Sequence, residues 1–180
     1  MLGVVFTEFL ELVEEKFDLD TVDAILDDAG VENDGAYTAV GSYDHQEIIN
    51  LVVALSKRAD VPVETLVHLF GTHLATRFSS LYPQFFSGHS DAFSFLATVD
   101  EHIHREVQKL YPNAQLPSIS TNQVDDNTLV LDYRSHRHFG TLARGLIEGA
   151  LAYYECDATI EVSDNSTDDQ AHVRFEIRKN

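Results

Sequence analysis

A chain of 180 residues with 44% hydrophobic content can bury a substantial core and is bounded at one large domain or two small lobes. Its 12 basic and 30 acidic side chains give a net charge of −18, which repels nucleic acid and anionic membrane surfaces and favours a basic partner surface. The single cysteine, Cys156, excludes an intrachain disulfide framework and a cysteine-based zinc or iron–sulfur site.

The first residues lack a basic segment leading into an apolar stretch and a small-residue cleavage site, and no apolar run approaches a membrane span. A cytoplasmic protein is expected. Phe6, Phe9, Leu10, Val13 and Phe17 form a helical stripe. Asp44, with Glu47 three residues on, predicts a capping box opening a helix through Ile48, Leu51, Val52 and Leu55. A third helix starts at Pro62, runs through Leu66, Phe70, Leu74 and Phe78, and stops near Tyr82-Pro83, where the residue before proline is pushed out of the helical region. Another spans roughly residues 90–111, with Leu96, Val99, Ile103, Val107 and Leu110 as its stripe.

Beyond Pro112 the period changes from helix to strand. Leu129, Leu131 and Tyr133 alternate with polar or opposite-face residues, as do Val173, Phe175 and Ile177. A helix over about 140–154 separates them, and 164–169 is a turn between two late strands; Asn165-Ser166-Thr167 within it reads as polar loop rather than a glycosylation site. The fold class expected is α+β: a helical N-terminal lobe, then an antiparallel-sheet-plus-helix C-terminal lobe, packed as one unit with a ligand between them.

The run Tyr133-Arg134-Ser135-His136-Arg137 closes a strand, so alternation puts Tyr133, Ser135 and Arg137 on one face. Two hydroxyls and a guanidinium fork suit a pair of carboxylates such as the propionates of heme. Heme needs an axial ligand, and there are nine histidines. His45, His89, His136, His138 and His172 lie near predicted turns or charges, as solvated bystanders do. His73, beside Phe70 and Leu74, reads as a hydrogen-bonded core histidine, and Cys156 as core packing. His102 and His104 point about 200° apart on a helix, and periodicity does not choose between them.

Together these features resemble the heme nitric oxide/oxygen binding (H-NOX, HNOB) family of gas-sensing domains in its stand-alone bacterial form, over nearly the whole chain. The resemblance selects His104 as iron ligand, because the family's proximal histidine precedes a Tyr-Pro pair and a later proline as His104 precedes Tyr111-Pro112 and Pro117. It implies heme b buried between the lobes of one domain, with 1–62 as a distal helical part and 63–180 as the heme-binding core. It further implies that Tyr133, Ser135 and Arg137 hold the propionates, that Pro117 packs on and distorts the porphyrin, and that Val5, Phe9 and Phe78 are packing contacts.

Oxygen-binding members hold their ligand with a distal tyrosine, three residues before the first glycine of a Gly-Leu-Ile-Glu-Gly segment. Here that segment is Gly145 to Gly149, and the position is Leu142. The supporting polar residue, three after a helical glycine matching Gly71, is Leu74. Both departures imply nitric oxide rather than oxygen, with carbon monoxide also expected. Nitric oxide opposite His104 would release that histidine and let its helix move, signalling to a separate partner, a histidine kinase or a cyclic-di-GMP enzyme.

No enzyme is expected. The acids are scattered over helix starts and solvated faces, and the chain has no nucleophile elbow, His-Glu-x-x-His helix, phosphate loop or dinucleotide fingerprint. The alternatives are an oxygen-binding heme sensor, or a cofactor-free acidic interaction domain in which Arg137 pairs with an acid such as Asp44.

Overall fold

Phe6, Phe9, Leu12 and Val13 recur at helical spacing and bury one face of α1 (Gly3–Lys16) in the computed structural model, which describes residues 1–180. Phe17 falls just past the end of α1 and is largely exposed, so the apolar stripe ends a turn early. Helix α2 (Leu19–Ala29) is not among the elements that periodicity predicts, since only Val22 and Ile25 are buried among its acids. It is marked instead by its caps: Asp18 accepts from Thr21 N at 2.7 Å, and Gly30 takes the left-handed conformation at φ 62°.

Helix α3 (His45–Ala59) begins at Asp44 as expected, with Gln46 N donating to the Asp44 carboxylate at 2.9 Å. The predicted capping box does not form, because Glu47 accepts from the Tyr37 hydroxyl at 2.7 Å. Helix α4 (Val63–Leu81) and the short α5 (Pro83–Phe86) meet at Tyr82, where proline enforces the break. The continuous helix expected over 90–111 is three pieces: α6 (Ala92–Leu96), a π-helical segment Val99–His104, and α7 (Arg105–Leu110). The Thr98 hydroxyl donates to Phe95 O at 2.9 Å, competing with the backbone at the join. The wider π turn rotates the faces of α7 relative to α6, leaving Leu110 at 76% exposure instead of completing the stripe.

Four antiparallel strands complete the chain: β1 (Ser118–Gln123), β2 (Thr128–Ser135), β3 (Ala158–Asp164) and β4 (Ala171–Lys179), in the order β1-β2-β4-β3. Helix α8 (Gly140–Tyr153) connects β2 to β3. Leu129, Leu131 and Tyr133 register against Ile177, Phe175 and Val173, and all six are buried. The α+β class is as expected. No helix is long and apolar enough to cross a membrane.

Two apolar clusters result. One joins α1 to α4 through Phe6, Phe9, Leu51, Phe70 and Leu74; the other joins α6, α8 and the sheet through Phe93, Ile147, Leu131 and Phe175. Helices α4 and α8 lie unusually close: a Cβ at Gly145 would come within 2.4 Å of His68 O and 2.8 Å of the Gly71 Cα. This contact accounts for the glycine pair Gly145 and Gly149, the latter abutting Ala75.

Candidate functional site

Tyr133 ends the buried face of β2, Ser135 closes the strand, and Arg137 lies in the turn that leads to α8. The three are brought together. The Ser135 hydroxyl accepts from Arg137 N at 3.0 Å, and the Tyr133 hydroxyl donates to Arg137 O at 3.4 Å. Burial pushes the Tyr133 phenol up, keeping it a neutral donor.

The Arg137 guanidinium donates to Gln115 O at 3.2 Å and to Gln115 Oε1 at 3.1 Å, while its Nε is buried without any partner. It has no ion pair with Asp44, which caps α3 instead. Burial lowers the Arg137 pKa, with Tyr133 and Asp44 only partly offsetting it. A buried guanidinium N–H left without an acceptor is costly, and a propionate carboxylate beside the half-buried Arg137 would supply one.

His104 ends the π-helical segment with an 18% exposed side chain. Its Nδ1 lies 3.0 Å from Asp100 Oδ1 and donates to it, so that in the neutral imidazole Nε2 carries the lone pair. His102 is exposed on the other side of the segment, with its ring against Phe85. His73 departs from the hydrogen-bonded core histidine expected: its Nε2 is buried without a partner, 3.8 Å from the buried Glu8 carboxylate, and burial lowers its pKa. Glu8 is held by Arg77, whose Nη2 also donates to Glu11 at 2.9 Å, so this set ties α1 to α4.

Phe9 and Leu74 are core residues of the N-terminal cluster, with Val5 and Leu142 packed against it. Phe78 packs on both clusters, as does Phe139, which sequence reasoning missed although it comes two residues after Arg137. Pro117 is half-buried just before β1. Asp100 and Gln115 were also missed: Asp100 stands one helical turn before His104, a spacing that could have flagged it, but its bond to Ile119 and the bond of Gln115 to Arg137 are distant in sequence. An open cavity of about 570 Å³ lies elsewhere, between the starts of α4 and α8 and the β3/β4 face, and is lined by His68, His138, Arg144 and Asp164 among others. None of the predicted heme residues lines it.

The donor set fits heme: one histidine with a free Nε2, an orphaned buried guanidinium N–H, two hydroxyls, and aromatic side chains at the seam between two apolar clusters. The profile of the Haem-NO-binding family (HNOB) matches residues 2–162. The chain belongs to this family.

Solved H-NOX structures agree along the whole chain. The unliganded Fe(II) H-NOX protein from K. algicida is 34% identical with a TM-score of 0.92, the match covering 100% of this chain and 97% of that one. The H-NOX from Shewanella woodyi, solved in the Fe(II)CO ligation state, is 40% identical with a TM-score of 0.86, covering 100% and 95%. That from S. oneidensis, in the Fe(II)NO state, shares the fold at 23% identity and a TM-score of 0.86, covering 99% and 100%. No curated protein matches the chain. As an H-NOX protein it is a heme-based gas-sensing domain, and such domains are non-catalytic heme sensors that signal to partner enzymes.

Proposed function

We propose that this H-NOX protein is a nitric oxide sensor that signals to a separate effector through release of its proximal histidine and movement of the segment carrying it. Heme b is the cofactor, with His104 as the protein ligand to iron and Tyr133, Ser135 and Arg137 on the propionates. Val5, Phe9, Leu74, Phe78 and Leu142 line its place, Pro117 packs against the ring, and 1–62 and 63–180 act as the distal part and the heme-binding core of one domain. When bound, the heme supplies a ferrous iron with a position open to a diatomic gas.

The observation that carries the choice of gas is the apolar setting of Leu74 and Leu142. Both pack in the N-terminal cluster, where neither side chain can donate a hydrogen bond and the Tyr37 hydroxyl already donates to Glu47 at 2.7 Å. Bound oxygen needs a hydrogen-bond donor for its partial charge, whereas nitric oxide binds ferrous heme without one. The oxygen-sensor reading lacks that donor, and a cofactor-free reading leaves Arg137 Nε without an acceptor. The carbon monoxide complex of the S. woodyi relative supports carbon monoxide as a further ligand.

The chain's own part in signalling is mechanical. Release of His104 would free the segment from Val99 to Leu110, which is already divided into π-helical and α-helical pieces and whose apolar packing on the C-terminal cluster comes from Val99 and Ile103. A histidine kinase or cyclic-di-GMP enzyme in the cytoplasm, docking with a basic face on this acidic surface, fits the charge of −18. The test is the absorption spectrum of protein from heme-sufficient cells, reduced and then exposed in turn to air and nitric oxide. A Soret band that nitric oxide shifts to a five-coordinate form, that air does not convert to a stable oxygen complex, and whose unliganded ferrous form is lost in His104→Gly, is expected. Protein that stays colourless with added hemin would overturn the reading.

A further inference from the structure

One carboxylate oxygen receives two hydrogen bonds from parts of the chain that are otherwise independent. Asp100 Oδ1 accepts from His104 Nδ1 at 3.0 Å and from the backbone N–H of Ile119 at 3.2 Å. Asp100 and His104 lie four residues apart in the π-helical segment, while Ile119 is the second residue of β1 and pairs with Tyr133 of β2. The connection between them, which carries Pro117, is thus pinned at both ends: Arg137 grips Gln115, and Asp100 grips Ile119.

We propose that Asp100 is the positioning residue of the proximal histidine, holding His104 with Nε2 free for iron while tying that histidine to strand β1. The proposal rests on the reading of His104 as the iron ligand. A carboxylate that accepts the Nδ1–H makes the imidazole a more basic ligand and fixes its tautomer and ring orientation. Because the same oxygen holds Ile119, movement of His104 must either break that bond or pull on β1, so Asp100 resists release of the histidine and transmits it to the sheet when it happens.

Asp100→Asn and Asp100→Ala separate charge from tether. Asparagine keeps an oxygen acceptor for both donors and loses only the charge; alanine loses both. In the reduced, unliganded protein the iron–histidine stretching frequency, read by resonance Raman, is expected to fall from wild type to Asp100→Asn and further to Asp100→Ala. Release of the histidine after nitric oxide addition should speed by about tenfold or more in Asp100→Ala. In heme-free protein, nitrogen-15 spectra should place the His104 proton on Nδ1 in wild type and on both nitrogens in Asp100→Ala, and the Ile119 amide should exchange faster only in the alanine variant. If Asp100→Ala does not fold, the near-isosteric Asp100→Asn carries the test. A coloured wild type with the same stretching frequency and release rate in the variants would sink this proposal and leave the sensor reading intact. A wild type that stays colourless with hemin would sink both.

Discussion

At residue scale the proposed choice of gas turns on Leu142, a half-buried leucine where the nitric oxide reading requires that no hydroxyl face the ligand. It packs on the same cluster as Leu74, and neither side chain can donate a hydrogen bond. Leu142→Tyr is expected to give a stable oxygen spectrum in air while keeping the nitric oxide response; an air spectrum identical to wild type would mean that Leu142 does not border the gas. The proposed heme residues with a local signature could be picked out in the sequence: Tyr133, Ser135 and Arg137 by strand alternation, and His104 by the family resemblance in its spacing to Tyr111, Pro112 and Pro117. Gln115 and Phe139 could not, because what singles them out is a partner brought up by folding, Arg137 and the second apolar cluster; for Asp100 the four-residue spacing to His104 was in the sequence, but the bond to Ile119 was not.

At the scale of elements, two contacts set the frame around these residues. Helices α4 and α8 touch through backbone at Gly71 and Gly145, where an added Cβ meets atoms that cannot rotate away. Gly145→Ala should therefore destabilise the protein by about 1–3 kcal/mol in urea melts, since overpacking forces the helices apart. In the sheet, Asp132 of β2 accepts from Arg174 Nε and Nη2, each at 3.1 Å, and from His172 Nε2 at 3.0 Å. The Arg174 hydrogen bonds, ahead of the His172 bond and despite some desolvation, hold the Asp132 carboxyl below its ordinary value of 3.8. A depressed carboxyl stabilises the fold fully above that ordinary value and ceases to do so as pH falls through the lower, folded one. Thermal melts should thus lose stability below about pH 4, and Asp132→Asn should start lower and fall less steeply over that range; parallel curves would remove Asp132 from the acid response.

At the scale of the whole molecule, α4 gives Leu66, Phe70 and Leu74 to one cluster while its glycine side abuts α8, which gives Ile147 and Leu151 to the other. Phe78 and Phe139 pack on both clusters, so a ligand held at that seam stabilises the two together. A heme that binds only the folded chain raises stability by about 2.7 kcal/mol at a free concentration a hundredfold above its Kd. Heme-free protein should accordingly melt at a lower temperature and recover on hemin titration. A Tm indifferent to hemin would mean that the seam does not hold it.

Taken alone, the sequence determined the α+β class, the positions of α1, α3, α4, α8 and the β2 and β4 strands, and the family to which the chain belongs. Each of these rests on periodicity or spacing within a few turns of chain, which short-range sterics and burial impose directly. Only the tertiary structure decided that the helix bearing His104 is broken by a π-helical segment, that α4 and α8 meet at glycine backbone, and that Arg137 and Asp100 pin the connection carrying Pro117. The pinning partners lie 19 residues apart for Asp100 and Ile119 and 22 for Arg137 and Gln115, and a pattern read along one segment carries no record of what folding will set against it.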